Sequence, residues 1–151
     1  MKNIKVRLAN AFDENLLLSW SNDPDVRLNS FNKSKISVES HKLWFKSLLS
    51  DNKKKCYIFE LKNTPFGTVR FEKKTNNVVL NYLISKNFRR KGLAKSMLQL
   101  SLKKISQVWG NIDILAYTLP DNLASKKSLE NSGFNLIGEK INRNCYLYTF
   151  K

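Results

Sequence analysis

The sequence contains little cysteine, proline, glycine and histidine for its length. Its 151 residues include two cysteines, three prolines, five glycines and one histidine. Cys56 and Cys145 lie in separate strand-like segments with no cysteine or histidine at metal-ligand spacing, so we expect free thiols and neither a disulfide nor a metal site. No apolar run approaches the length of a membrane span, and the first residues lack the apolar stretch of a signal peptide. We therefore expect a cytoplasmic protein with no membrane partner.

Acidic residues are also scarce. Twelve Asp and Glu face 27 Lys and Arg, which gives a formal net charge of +15. A nucleic-acid partner is not expected, because the lysines are spread along the chain and no aromatic and basic residues alternate in a stacking motif. The positive field instead favours small polyanionic ligands. The length and the hydrophobic content of 42% predict a single domain, residues 1–151.

The predicted elements follow the order strand, two helices, three strands, helix, strand, helix and two strands. Apolar and polar residues alternate over residues 4–8 and predict the first strand. The first helix opens at Asp13 and stops before Pro24, and Ser37 caps the second helix. The apolar side of the second helix is predicted to contain Val38, His41, Trp44, Phe45, Leu48 and Leu49. Two hairpins are predicted, one from Cys56 to Leu61 and Gly67 to Phe71, the other from Phe134 to Lys140 and Cys145 to Phe150.

A basic turn joins the strand over residues 78–84 to the next helix. It reads Arg89-Arg90-Lys91-Gly92-Leu93-Ala94. Free N–H groups at a helix N-terminus, together with the helix dipole, make an anion site, and Gly92 lets the backbone approach a phosphate closely. The turn therefore predicts a pyrophosphate site. The alternative is an ordinary helix start with a solvated basic cluster.

A second motif follows this turn, with one predicted helix and one predicted strand between them. It consists of Asn122, Ser125, Glu130, Gly133 and Phe134. Together the two motifs resemble the GNAT superfamily of acyl-CoA-dependent N-acetyltransferases. The resemblance implies an α+β fold of three layers, with a mixed, mostly antiparallel, splayed sheet of seven strands and about four helices. It also implies acetyl-CoA as the cofactor. The implied cofactor-binding residues are Leu83, Ile84, Arg89, Arg90, Lys91, Gly92, Leu93, Ala94, Lys95, Asn122 and Ser125.

The amino-proximal part carries a further resemblance. Residues 20–27 read Trp-Ser-Asn-Asp-Pro-Asp-Val-Arg, and Asn29-Ser30-Phe31 and His41…Trp44-Phe45 follow. This pattern is similar to that of acetyltransferases of pseudaminic and legionaminic acid synthesis, which acetylate the 4-amino group of a UDP-linked amino sugar. The implied substrate-binding residues are Arg27, Asn29, Ser30, Phe31, His41, Trp44 and Arg70. The alternatives are core packing for the aromatic residues, a structural role for His41, and closure of a local turn by Arg27.

The implied reaction is direct attack of an amine on the acetyl thioester. It needs a proton acceptor, N–H donors for the oxyanion and a proton source for the thiolate. Many GNAT enzymes carry a tyrosine acid four residues before the Gly-Phe pair, and this chain has Leu129 there. We therefore hypothesise that Tyr117 acts as the acid or in a water relay, with Glu72 or a water chain accepting the amine proton. Alternatively, Tyr117 only lines the pocket.

Two other functions are compatible with the same motifs. One is acetylation of a protein N-terminus, including that of a ribosomal protein, and the other is a non-catalytic acyl-CoA sensor. Inward-pointing Arg27 and Arg70 would favour an anionic diphosphate over a peptide acceptor. A homodimer and acyl groups other than acetyl are also compatible with the sequence.

Overall fold

Seven strands form one sheet in the computed structural model, which describes residues 3–140 and 145–150. The strands are β1 (Ile4–Leu8), β2 (Lys54–Leu61), β3 (Thr64–Lys73), β4 (Val78–Ile84), β5 (Ile114–Thr118), β6 (Asn135–Lys140) and β7 (Cys145–Phe150). Their order across the sheet is β1-β2-β3-β4-β5-β7-β6. All neighbours are antiparallel except β4 and β5, which are parallel. The predicted mixed, mostly antiparallel α+β fold is confirmed.

Five helices occur among the described residues. They are α1 (Glu14–Ser21), α2 (Pro24–Leu28), α3 (Val38–Ser50), α4 (Leu93–Trp109) and α5 (Leu123–Asn131). The short helix α2 was not predicted, because Pro24 was interpreted only as a stop signal. Proline is tolerated at the first position of a helix, and the Asp23 side chain caps α2 by accepting a 2.8 Å hydrogen bond from the Asp25 amide.

The parallel pair β4 and β5 touches over only two residues of each strand. The register joins Val78 to Ile114 and Val79 to Leu115. Beyond these pairs β4 continues alongside β3 alone as far as Ile84. A gap therefore opens between β4 and β5 toward the end of β4 that leads to the basic turn.

Each face of the sheet has its own hydrophobic cluster. On one face, which we call the cofactor face, α4 and α5 pack on a large cluster of the described residues that includes Phe71, Leu98 and Leu129. On the other, the acceptor face, α1 and α3 pack over β2 in a smaller cluster formed by Leu17, Phe45, Leu48, Cys56 and Ile58. The helices of the acceptor face do not cover β3, β4 and β5 completely, and a groove remains there.

The predicted apolar side of α3 needs a correction. His41, Phe45 and Leu48 are buried and Trp44 is half-buried, as expected for residues on one side of a helix. Val38 and Leu49, however, are 61% and 44% exposed. They lie near the two ends of the helix and outside the apolar cluster that α3 forms with β2.

The described cysteine is a free buried thiol. Cys56 is 4% exposed, and burial raises the pKa of its thiol. The side chain of Cys145 lies outside the described residues, so the prediction of a second buried thiol stays a prediction. None of the helices in the described ranges combines the length and apolarity that a bilayer crossing requires.

Candidate functional site

The basic turn has a backbone suited to binding an anion. Arg90 and Gly92 adopt left-handed conformations with φ of 61° and 71°. This conformation is costly for arginine and easy for glycine, and such strain is typical of ligand-binding turns. Gly92 is the N-cap of α4 and provides no side-chain cap, so the amides of the first turn point out of the helix end without one. Leu93, Ala94 and Lys95 supply these amides, and their binding of a pyrophosphate stays a prediction.

The Arg89 side chain does not point to this anion site, contrary to the predicted cofactor contact. Its Nε donates a 2.9 Å hydrogen bond to the Ile84 carbonyl, and its two terminal nitrogens lie 3.4 Å from carboxylate oxygens of Asp23 and Asp25. The two acidic residues hold the guanidinium because they lie at the N-terminus of α2, directly across the site. Arg89 therefore links the basic turn to the helices of the acceptor face.

The backbone of Leu83 and Ile84 points in opposite directions. A methyl group added at Gly67 would lie 2.9 Å from the Leu83 carbonyl oxygen, so Leu83 faces β3. Successive residues of a strand point their N–H and C=O groups to alternate sides. The carbonyl of Ile84, which Arg89 reaches, accordingly lies on the opposite side, at the gap. The gap-facing backbone amides are thus those of Tyr82 and Ile84, whereas the backbone of Leu83, also a predicted cofactor-binding residue, faces β3.

The start of α5 closes the gap on the cofactor face. Asn122 caps α5, its side-chain oxygen accepting a hydrogen bond from the Ser125 amide at 3.2 Å. Ser125 Oγ accepts a 3.2 Å hydrogen bond from the Tyr82 hydroxyl. Leu129, one turn further along α5, is 1% exposed and belongs to the core. Tyr82, Asn122 and Ser125 thus place polar groups next to the gap, and Ser128 adds a second hydroxyl that interacts with the Tyr82 phenol.

A groove of about 500 Å³ occupies the acceptor face. Its lining within the described ranges comprises Phe31, Trp44, Leu48, Lys54, Arg70, Phe71, Glu72, Lys74, Asn77, Val79, Asn81, Leu115 and Tyr117. Five of the predicted site residues meet here, namely Phe31, Trp44, Arg70, Glu72 and Tyr117. Three cationic side chains and one carboxylate line the groove, which makes it net positive.

Arg70 is a half-buried cation on which the Glu72 carboxylate acts only from beyond ion-pair distance. Its guanidinium carbon lies 4.9 Å from the centroid of the Trp44 ring, and it forms neither a hydrogen bond nor an ion pair with any described residue. Burial lowers the pKa of this guanidinium, because a low-dielectric environment disfavours the charged form. An anionic ligand in the groove would offset this cost.

Arg27, Asn29 and Ser30 build a loop and do not line the groove. The Arg27 guanidinium donates hydrogen bonds of 2.7, 2.9 and 3.2 Å to the carbonyls of Ser21, Asn32 and Ser34. Asn29 Nδ2 and Ser30 Oγ likewise donate to backbone carbonyls of α2. The predicted substrate contact of Arg27 is corrected on this ground, since its donors hold the chain on either side of Phe31.

His41 is buried beneath the groove and is not accessible to a substrate. It is 2% exposed, its Nε2 lies 2.8 Å from the Glu14 carbonyl, and its ring lies against Trp44 and Phe45. The predicted substrate contact is therefore wrong for His41. The geometry is that of the structural alternative, a histidine joining α3 to α1.

Tyr117 and Glu72 both face the groove. Tyr117 lies on β5 and shares the acceptor face with Leu115, while Glu72 lies near the end of β3. The Glu72 carboxylate pairs with Lys74, and its other oxygen lies 4.0 Å from Lys54 Nζ. Both residues are thus on the side from which an acceptor would approach.

Two residues near the gap were missed from the sequence. Tyr82 lies among apolar residues of β4 and was not singled out, although a buried phenol needs a hydrogen-bond partner. Asn81 is a polar residue in an apolar strand, and its register partner is Arg70. Both polar residues are visible in the sequence of the strand. They indicate a functional site only when the position of the gap between β4 and β5 is known.

Comparison with protein families gives one match to nearly the whole described chain. Residues 4–135 match the family model described as acetyltransferase (GNAT) domain. No curated protein sequence matches significantly.

Similar solved structures cover almost all of the chain at low identity. The spermidine N-acetyltransferase of Vibrio cholerae, in complex with CoA and spermine, has a TM-score of 0.85 at 14% identity and covers 97% of this chain and 92% of its own. The aminoglycoside acetyltransferase AAC(6′)-Ib with coenzyme A and kanamycin has a TM-score of 0.83 at 16% identity, with coverages of 97% and 93%. The ribosomal-protein-S5-alanine acetyltransferase of Vibrio fischeri has a TM-score of 0.80 at 19% identity, with coverages of 99% and 93%. At these low identities, the similarities show a common fold.

Proposed function

Since this chain belongs to the GNAT family of acetyl-CoA-dependent acetyltransferases, we propose that it acetylates the amino group of a UDP-linked amino sugar, as in nonulosonic acid synthesis. The cofactor diphosphate lies on the amides after Gly92, and the thioester reaches the gap between β4 and β5. The acceptor occupies the groove of the acceptor face, where its amine attacks the thioester carbon directly. Bringing amine and thioester together in this way supplies about 7–11 kcal/mol of the barrier reduction in well-oriented systems.

The observation that carries the proposed acceptor is the unpaired Arg70 in a net positive groove. A planar guanidinium binds the oxygens of a diphosphate or sugar carbonyl through two parallel hydrogen bonds. Trp44 and Phe31 offer aromatic faces for a uracil or sugar ring. A cationic acceptor, such as a polyamine or a protein N-terminus, would be repelled by the same groove. The positive groove therefore favours an anionic amino sugar over the acceptors named for two of the similar structures.

The test of the acceptor combines binding and turnover. UDP at about 100 times its Kd is expected to stabilise the protein by about 2.7 kcal/mol, measured as a thermal shift. Acetyl transfer, followed as thiol release, is expected with UDP-amino sugars and not with spermidine or an N-terminal alanine peptide. If UDP produces no shift and the peptide or polyamine is acetylated, the proposed acceptor is wrong.

We further propose that Tyr117 and Glu72 carry the proton lost by the amine away through a water relay. Tyr117→Phe is expected to lower kcat about tenfold and to change the pH–rate profile, because water replaces only part of a positioned proton carrier. The measurement is kcat as a function of pH for both proteins. Identical profiles would limit Tyr117 to lining the groove.

A further inference from the structure

The gap between β4 and β5 presents different chemistry on its two faces. On the acceptor face lie Arg70 and Tyr117, next to the groove. On the cofactor face lies Tyr82, which is two residues before the end of β4 and points toward α5. An amine entering from the groove thus approaches the thioester carbon from one face. In the proposed binding mode the sulfur belongs to the CoA arm that comes from the amides at the start of α4, so the leaving thiol stays on the cofactor face.

Tyr82 is placed where that thiol would depart. Its hydroxyl donates a 3.2 Å hydrogen bond to Ser125 Oγ, so the side chain spans from β4 to the first turn of α5. The backbone amides of Tyr82 and Ile84 face the gap and are available to the thioester oxygen. The phenol therefore lies beside these N–H groups. Burial is the largest influence on the pKa of the phenol and raises it. The phenol therefore stays protonated well above neutral pH.

The other candidate proton donors lie elsewhere. Leu129 on α5 is buried and carries no acidic hydrogen. Tyr117 lies on β5 on the acceptor face, where the amine enters. Cys56 is enclosed in the smaller hydrophobic cluster. Tyr82 therefore places a phenolic hydroxyl beside the gap on the cofactor face, where the proposed binding mode puts the sulfur.

We propose that Tyr82 is the catalytic acid that protonates the CoA thiolate. The amine forms the C–N bond at the acetyl carbon, and the C–S bond breaks with its electron pair going to sulfur. Sulfur takes the proton from Tyr82 Oη, and the amine nitrogen loses its own proton to the relay on the acceptor face. A proton returns to the phenolate from solvent through the Ser125 hydroxyl, so the products are the acetamide and CoA thiol. The proposal depends on acetyl transfer and is independent of the identity of the acceptor amine.

A titration of bound CoA tests the proposal without any acceptor. A phenol that donates to the thiolate stabilises the ionised form, so the thiol of CoA bound to wild-type protein is expected to ionise at lower pH than the thiol bound to Tyr82→Phe. The thiolate absorbance in the ultraviolet reports this ionisation. At a pH below both midpoints, the variant is expected to hold about tenfold less thiolate.

Steady-state kinetics provides the second measurement, with matched variants. Tyr82→Phe is expected to lower kcat about 100-fold with little change in the KM for acetyl-CoA. Tyr57→Phe removes the hydroxyl of another buried tyrosine on the cofactor face, and its kcat is expected to equal that of the wild type. Ser125→Ala keeps the phenol and its interaction with Ser128 while removing one hydroxyl partner, so its loss should be smaller than that of Tyr82→Phe.

The outcomes separate this proposal from the assignments it builds on. The same thiol ionisation in wild type and Tyr82→Phe, or a kcat within about twofold, would overturn the role of Tyr82. A wild-type protein that fails to bind CoA would instead contradict the cofactor site. Thermal unfolding of each variant checks that the substitution leaves the fold intact.

Discussion

Replacing Arg70 with methionine is expected to lower kcat/KM for the acceptor about 1,000-fold while leaving the affinity for acetyl-CoA unchanged. Removing one partner of a desolvated, hydrogen-bonded charge pair costs about 2–5 kcal/mol, and about 4 kcal/mol corresponds to this factor. The measurements are initial rates at varied acceptor concentration and calorimetric binding of CoA. Arg70→Lys keeps the charge without the planar fork and should recover only part of the loss.

The same substitution is not expected to lower the midpoint of thermal unfolding. Arg70 is a half-buried cation without a described hydrogen bond or ion pair, and removing such a charge relieves a desolvation cost. A matched control is Lys73→Ala on the same strand, because Lys73 Nζ lies 5.7 Å from the Trp109 ring on the opposite face. That variant loses a comparable cation–π contact outside the groove and should keep wild-type kinetics. If Arg70→Met and Lys73→Ala behave alike, Arg70 does not bind the acceptor.

Gly92→Val is expected to weaken CoA binding about 1,000-fold. A β-branched residue strongly disfavours a φ of 71°, so the start of α4 would rearrange and its amides would no longer converge on a phosphate. Loss of two charge-assisted hydrogen bonds at about 2 kcal/mol each accounts for the factor. Calorimetric titration with CoA measures it.

Gly110→Val is the control for this prediction. Gly110 has a similar φ of 76° at the other end of α4, and an added Cβ would meet no atom within 4 Å. Its substitution introduces backbone strain into the same helix, far from the basic turn. We expect lower thermal stability for both variants and weak CoA binding for Gly92→Val alone. Normal CoA affinity in Gly92→Val would place the diphosphate elsewhere.

Local rules predicted most of the fold. Alternation identified the strands, and Ser37 marked the start of α3, its side chain accepting a hydrogen bond from the Ser40 amide. The basic turn was predicted as a helix N-terminus because a glycine between a strand and an amphipathic helix has few other interpretations. Helix α2 was missed because one proline signal can either end a helix or begin one.

The site was harder to predict, because the partner of each side chain lies far away in the sequence. Arg27 and Arg70 carry the same guanidinium group but differ in their surroundings. Arg27 donates hydrogen bonds to backbone carbonyls within seven residues of it in the sequence, whereas Arg70 faces an open groove. Asp23, which is 66 residues away in the sequence, likewise holds the Arg89 side chain away from the anion site at the start of α4. Tyr82 required knowledge of where β4 and β5 separate. Tertiary placement, and not residue type, decides these roles.

The unequal hydrophobic clusters have a consequence for how such enzymes diversify. Among the described residues, α1 and α3 are held to the sheet by five buried side chains, whereas the layer around α4 uses seventeen. Substitutions in the thinner layer can shift the groove walls by repacking a few contacts, and sites without shared neighbours act additively. Acceptor preference can therefore be altered by substitutions around α1 and α3 that leave the larger layer around α4 unchanged.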